Sequence, residues 1–463
     1  MKFLLIETQY HSSMPNLGLG YLSACLNKEG HEVKLWLNNN KLHDRFSFAA
    51  LMQRERFDVI GFQMMSSAIN KVNEKIALIG DSINDKAKII LGGAHVSGDP
   101  HNIFDLIPEA DYGFHGEAEA GIVEFARKIT NVAIFHAEIN KIPNLIYRNG
   151  SGTTVNPCEF IKNLDGIPFP AWELMPPEKF PIIPFNGYSR RYPIAPMILT
   201  RGCPNECTFC AASVVNGHNI RSRSTENVLE EIKLLIEKFR VKEIQFFDSN
   251  CAHQHGPLRD VCRRIISDNI DVTWCAPNGI RVDSIDEELA ALMKRSGCFQ
   301  VNIGIESASP RILKNIRKAI SPAMVREKIV LLRKNGIEVV GFFMIGFPGE
   351  TDSEIKQTIS FAMQLPLTAA SFSILSPLPG TEIYKQLCKN KKMKKEDLGL
   401  LDFINYHNQL SEVSYDKLRK IQKEAYLHFY LRPRILKYLL KNLNSFSKIS
   451  FLMHRAYLDS FKS

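Results

Sequence analysis

The sequence predicts an α/β protein of two successive βα series, a doubly wound parallel sheet followed by a partial (β/α)6 barrel, and then a helical C-terminal region. Three observations predict it. Short apolar strands alternate with amphipathic helices over the first ~130 residues. A second such alternation runs from ~190 to ~385, and a basic, helix-patterned stretch closes the chain. At 463 residues the chain is too long for one ordinary core.

In the first series Phe3 to Ile6, Val33 to Leu37, Asp58 to Phe62, Lys88 to Leu91 and Asp111 to Phe114 read as buried strands, and Leu19, Leu22, Cys25 and Leu26 form a helical stripe that stops at Gly30. A sheet of this kind opens its ligand crevice at the carboxyl ends of the strands. Those ends carry Ser66-Ser67, Gly92-Gly93-Ala94-His95 and His115-Gly116-Glu117, small residues that let a flat ligand approach the backbone. Residues 131–185 read as a connection, with the proline-rich Asn163 to Trp172 as a strap pinned across the domain interface. In the second series the strands are Pro196 to Thr200, Glu243 to Phe247, Val272 to Ala276, Gln300 to Ile305, Val339 to Ile345 and Ala370 to Leu375. Six βα units suggest an open barrel with its chemistry at the C-terminal mouth. The domains are therefore drawn at 1–130, 131–185, 186–385 and 386–463.

Composition adds little for the first two domains and more for the last. Hydrophobic content of 45% and charged content of 23% are ordinary for a globular protein. Sixteen Lys and Arg against seven Asp and Glu lie between Lys389 and Lys462, which accounts for the whole net charge of +9. Leu431 to Lys441 places Ile435, Leu436, Leu439 and Leu440 on one side and cations on the other. A solvated cap on the barrel and a peripheral membrane contact both fit that pattern. Nucleic acid is not expected, because no recognised motif accompanies the charge. No run approaches eighteen apolar residues and the first strand is too short and too soon acidic for a signal peptide, so a cytoplasmic location is expected. Ten cysteines, three clustered and seven scattered, do not form a secreted disulfide framework.

The clustered three carry the chemistry. Cys203, Cys207 and Cys210 stand at C-x3-C-x2-C spacing in Thr200-Arg201-Gly202-Cys203-Pro204-Asn205-Glu206-Cys207-Thr208-Phe209-Cys210. A cubane cluster normally takes four cysteines, so three leave one iron open to a small molecule. The competing reading is a Cys3His zinc site with His218, which the spacing and the long α/β pattern behind it disfavour.

The cysteine spacing, with Phe209 before the last thiol, resembles the radical S-adenosylmethionine superfamily. Pro15 to Leu22, Gly30-His31-Glu32-Val33 and the small residues at the strand ends resemble the cobalamin-binding domain found ahead of such barrels. The resemblance implies a [4Fe–4S] cluster on the three cysteines, S-adenosyl-L-methionine chelated to its free iron, and a 5′-deoxyadenosyl radical formed by reductive cleavage. It implies a base-off corrinoid with its tail threaded past Ser66, Ser67, Gly92 and Gly93, and contacts near Gly116. On the barrel side it implies contacts to S-adenosylmethionine from Phe209, from Asp248 and Ser249, from Arg281, from Glu306 at the ribose, and from Ile345 and Gly346 at adenine. The D-x-H-x-x-G motif that places histidine under cobalt is missing: the loop reads Glu7-Thr8-Gln9-Tyr10-His11-Ser12-Ser13. The lower axial ligand is thereby left open.

The activity implied is methylation of an unactivated carbon of a small-molecule or peptide substrate by methylcobalamin, with an external electron donor of flavodoxin or ferredoxin type. Ring formation, as in the anaerobic cyclase of chlorophyll synthesis, is the alternative of the same architecture. A cobalamin-responsive regulatory module is the alternative of a different class. A methylthiotransferase is disfavoured, because the N-terminal domain offers only Cys25 for a second cluster.

Overall fold

The computed structural model describes residues 1–8, 14–37, 45–80, 82–150, 152–180, 189–253, 256–390, 398 and 409–441. The loop 9–13 with His11, the side chains of Leu439 and Leu440, and the tail beyond Lys441 lie outside the described residues.

Strands β1 (Lys2–Glu7), β2 (Glu32–Trp36), β3 (Val59–Gln63), β4 (Lys88–Gly92) and β5 (Tyr112–Phe114) form a parallel sheet in the order β2-β1-β3-β4-β5. The order reverses between β1 and β3, which is where an open α/β sheet leaves a crevice. The helix Leu17–Lys28 enters that crevice, begun by Asn16, whose side chain accepts from the Leu19 amide at 3.2 Å. The sheet does not end at residue 130. β6 (Leu145–Asn149) and β7 (Gly152–Val155) add antiparallel strands to its β5 edge. Composition hid this hairpin because only β6 carries a buried apolar triplet, Leu145 to Tyr147.

The remainder of the connection is a strap. Ala171 donates its amide to the Gly20 carbonyl at 3.0 Å, and Trp172 is buried with its indole N–H on Glu231 at 3.1 Å. The Phe160 and Phe169 rings lie beneath the guanidinium groups of Arg221 and Arg223. The strap thus ties the sheet's first helix to the second domain.

There β8 (Ile194–Met197) is followed by the two-residue strands β9 (Thr200–Arg201) and β10 (Arg221–Ser222), which pair with each other. β11 (Glu243–Phe246), β12 (Thr273–Ile280), β13 (Cys298–Glu306), β14 (Glu338–Ile345) and β15 (Ala369–Ile374) continue an all-parallel sheet ordered β15-β14-β13-β12-β11-β8. Chain order and spatial order coincide and β15 does not return to β8, so the barrel is open. Its helices have ordinary start signals: Ser224 caps Thr225–Phe239, Ser321 caps Pro322–Lys334, and Thr351 with Glu354 forms a capping box on Asp352–Gln364.

The open edge at β15 is closed by the C-terminal helix Tyr415–Tyr430. Gln422 donates to the Phe372 carbonyl at 2.7 Å, the Tyr426 hydroxyl accepts from the Phe372 amide at 3.1 Å, and the Tyr430 hydroxyl donates to the Ala370 carbonyl at 2.9 Å. An unpaired strand edge would otherwise template aggregation. The basic character beyond it has a local use: Arg432 donates to the Met363 carbonyl and Arg434 to those of Leu365 and Leu367. Ile435 is buried while Leu436 is exposed. Among the described residues no helix is long and apolar enough to cross a membrane.

Candidate functional site

The cysteine loop is held from below by one carboxylate. Asp248, at the end of β11, accepts from the amides of Leu199 and Thr200 at 3.0 and 2.6 Å and from the Thr200 hydroxyl at 2.8 Å. Gly202 follows with φ +96°, and a Cβ there would stand 2.1 Å from the Asn219 carbonyl oxygen, so the turn into the loop accepts no other residue. The Cys203 amide donates to the Gly217 carbonyl at 3.0 Å, and Thr208 donates its amide to the Ile316 carbonyl at 3.2 Å. The Cys207 thiol lies 3.9 Å from the Arg317 carbonyl oxygen. Phe209 packs edge-on against Phe347, ring centroids 5.7 Å apart.

Burial pushes the Cys210 thiol up to about 11 and raises Cys207 as well, while the Lys318 and Arg281 cations pull Cys207 back toward thiolate. Among the described residues no three His, Cys, Asp or Glu side chains converge on one point, as a single zinc ion would need. A cubane takes each thiolate on a separate iron and needs no such convergence. Three thiols on one loop are the ligand set of a [4Fe–4S] cluster with one iron left open.

The barrel mouth departs from the sequence reading in several places. Both Asp248 oxygens accept from backbone amides and burial pushes its carboxyl up to about 6, so this residue shapes the loop, and it also borders the space between the domains. Ser249 does line the space between the domains. Arg281 is paired with Asp283 at 2.6 Å, not with Glu306. Glu306 sits at φ +63°, a left-handed conformation rare for a residue with a Cβ, and its carboxylate meets Lys318 at 3.0 Å. Ile345 is buried, and the Gly346 amide donates to the buried Glu350 carboxylate at 2.6 Å. Arg221 and Arg223 anchor loops, on Glu117 at 2.7 Å and on Glu231 at 2.5 Å.

A cavity of about 350 Å3 runs from the crevice between β1 and β3 to the ends of β8 and β11. Leu5, Gly61, Leu91 and Ile122 line its sheet side; Ile198, Phe247 and Ser249 line its barrel side. Gly92, Gly93 and Gly116 all border it. Gly93 has φ +107° and a Cβ there would lie 3.0 Å from the Met64 carbonyl oxygen, whereas a Cβ on Gly92 would meet nothing nearer than 3.9 Å and would project into free space. An apolar slot walled by bare backbone fits the flat aromatic tail of a corrinoid. The two serines do not share it. The Ser66 hydroxyl is turned to His95 Nδ1 at 2.8 Å, and Ser67 is exposed; neither lines the cavity. His95, held neutral by burial at about 4, and His115, bonded to the Asn156 carbonyl, do not line it either. Arg201, two residues before Cys203, crosses the domain joint to Glu119 at 2.7 Å and Glu117 at 3.5 Å. The cysteine loop and the slot are thus fixed to each other through charges that are all nearly buried.

Residues 197–362 match the Radical SAM superfamily and residues 5–126 the B12 binding domain family. The chain is 31% identical over 448 residues to a protein of Pyrococcus horikoshii, uncharacterized methyltransferase PH0819, with 94% of each chain covered. The chain belongs to the cobalamin-dependent radical S-adenosylmethionine enzymes. It is also 26% identical over 432 residues to the cytidylyl-2-hydroxyethylphosphonate methyltransferase of Streptomyces wedmorensis, covering 82% of this chain and 79% of that one. Among solved structures, the cobalamin-dependent S-adenosylmethionine radical enzyme OxsB with aqua-cobalamin and S-adenosylmethionine bound has the same fold, with a TM-score of 0.73 at 17% identity, over 100% of this chain and 73% of that one. The cofactors of this family are a [4Fe–4S] cluster, S-adenosylmethionine and cobalamin. A radical enzyme of this class has residues for each: the cysteine loop, the barrel mouth and the glycine-walled slot.

Sequence reasoning missed Lys318, Arg201 and Glu350. Lys318 follows Glu306 by twelve residues across a helix and had no motif to mark it. Arg201 had a signal, its place within the cysteine segment.

Proposed function

We propose that this enzyme methylates a carbon atom of a small-molecule or peptide substrate held between the barrel mouth and the sheet domain. The observation that carries the reading is the joint itself: Arg201, two residues before the first cysteine, is locked to Glu117 and Glu119, and all three border, with Gly116, the cavity between the domains. When bound, the cluster with S-adenosylmethionine supplies a hydrogen-abstracting radical, and the corrinoid supplies the methyl group. The chain's own part is to hold and orient. Cys203, Cys207 and Cys210 take the cluster, Glu306 accepts from the sugar hydroxyls, and Gly92, Gly93 and Gly116 admit the corrinoid tail. Ser249, on the wall shared by both domains, is placed to touch what lies between them. A second cavity of about 830 Å3 is lined by Cys207 and Cys210 together with Asp99, His218 and Tyr384, and it is there that an electron donor of flavodoxin or ferredoxin type would approach the cluster.

The test is anaerobic reconstitution with iron, sulfide and hydroxocobalamin, followed by gel filtration and metal and corrinoid quantification. About four irons and one corrinoid per chain are expected, with 5′-deoxyadenosine and S-adenosylhomocysteine released in turnover. Iron without corrinoid overturns the methylase reading.

A further inference from the structure

Lys318 lies at the only place where one short segment clasps the cysteine loop and also reaches Glu306 among the described residues. It follows the helix Pro310–Asn315, whose end is fixed by the Ile316 amide on the Ile312 carbonyl and the Lys318 amide on the Leu313 carbonyl, both 2.9 Å. Arg317 between them takes φ +53°, the left-handed cap position where glycine is usual. The carbonyls of Ile316 and Arg317 face Thr208 and Cys207. With its backbone so held, Lys318 has its side chain turned inward and only 11% exposed.

A buried ammonium is costly unless its charge and its three N–H donors are answered. Among the described residues Glu306, 3.0 Å away, is its one hydrogen-bond partner, so donors are left over. Burial works against its charge, and the Glu306 carboxylate holds it charged. The residue before Lys318, Arg317, brings its carbonyl oxygen to 3.9 Å from the Cys207 thiol, so the ammonium is anchored one residue from the cysteine loop. Glu306 also holds a strained backbone, which is characteristic of positions fixed for a ligand.

We infer that Lys318 is a positioning residue at the cluster end of the barrel, holding the Glu306 carboxylate in place for the sugar hydroxyls and setting a fixed positive charge beside the thiolates that favours the reduced cluster. The inference rests on the function proposed above. Its test uses the full chain reconstituted anaerobically, comparing wild type with K318Q, K318R and E306Q. Two quantities are read: the cluster's midpoint potential, by redox titration followed by electron paramagnetic resonance, and the Kd for S-adenosylmethionine.

Reduction adds negative charge, so loss of the cation in K318Q lowers the midpoint potential, and it weakens S-adenosylmethionine binding about tenfold, one charged hydrogen bond's worth. K318R restores the potential. E306Q weakens binding too but moves the potential upward, because it removes an anion and leaves the cation. A merely structural role would not give opposite signs. Wild-type potential and affinity in K318Q overturn the inference, as does a shift of the same sign in K318Q and E306Q. If K318Q retains no iron, the upward shift in E306Q and the unchanged potential in K318R decide it. Failure of wild type itself to load iron or bind S-adenosylmethionine overturns the parent function, and this inference with it.

Discussion

The slot in the sheet domain takes most of its wall from glycine backbone and aliphatic side chains, whereas the cysteine end of the barrel is braced mainly by buried charge. Around the slot Gly61, Gly92, Gly93 and Gly116 bring backbone to the wall and Leu5, Leu91 and Ile122 supply apolar surface, while the charged Glu117, Glu119, Arg201 and Asp248 line it where the two domains meet. Around the cysteines the chain uses buried charge: Asp248 under the loop, Lys318 on Glu306, and Glu350 on the amides of Gly346 and Phe347. A neutral aromatic tail needs shape and close approach, while a cluster with a sulfonium nucleoside needs charge set in place before the ligand arrives. The two regions should therefore respond to different substitutions and fail independently.

The largest effect is expected on the cysteine side. Replacing Cys203, Cys207 and Cys210 with alanine should abolish iron retention and S-adenosylmethionine cleavage while corrinoid still elutes with the protein. Loss of both cofactors together would show that the regions are one cooperative unit. The reciprocal test is Gly92→Leu, whose Cβ has room and whose side chain would fill the slot. Corrinoid retention should fall more than tenfold with iron content unchanged, and the thermal midpoint should stay within a few degrees of wild type.

A third substitution addresses the joint. Arg223→Met leaves Glu231, fully buried and, among the described residues, otherwise bonded only to the Trp172 indole, without its cation. Breaking such a pair costs about 3–5 kcal/mol. A denaturant titration showing less than about 1 kcal/mol would mean that the strap contributes little. A smaller effect concerns pH. Burial pushes the Glu350 carboxyl from an ordinary 4.5 up to about 7, even though two amides bond it. Because the folded value is raised, its contribution is fully present below about 4.5 and lost as pH rises through about 7. Between pH 5 and pH 8 the wild type should lose stability that Glu350→Gln retains, up to about 3 kcal/mol; parallel pH curves for the two would refute the burial argument. The smallest effect is Ser67→Ala. This side chain is exposed and off the slot, so corrinoid retention should change less than twofold, and a larger loss would return the serine to the tail's path.

Which parts could be read in advance follows from what each signal depends on. Strand and helix patterns depend on neighbours in sequence, and each apolar run overlaps a strand, although β8 begins two residues before the expected Pro196 to Thr200 and β12 runs on to Ile280. The cysteine spacing, Gly93 and Gly116 were legible for the same reason, since each answers a local backbone or ligand requirement. The hairpin β6–β7 was not, because an antiparallel edge addition buries too few side chains to leave a pattern. Ser66 and Ser67 occupy the strand end that a ligand would use, yet Ser66 turned to His95 and Ser67 to solvent.

The charges show the division most plainly. The sequence by itself determined the two βα series, the three-thiol loop and the basic tail, because periodicity, spacing and composition are properties of the chain. Only the tertiary structure decided that Asp248 braces the loop, that Lys318 instead of Arg281 answers Glu306, that Arg201 joins the two sites, and that the tail's arginines cap carbonyls near β15. A side chain's periodic neighbours are fixed at three or four residues, but its electrostatic partner is chosen in space, by whichever opposite charge is buried beside it.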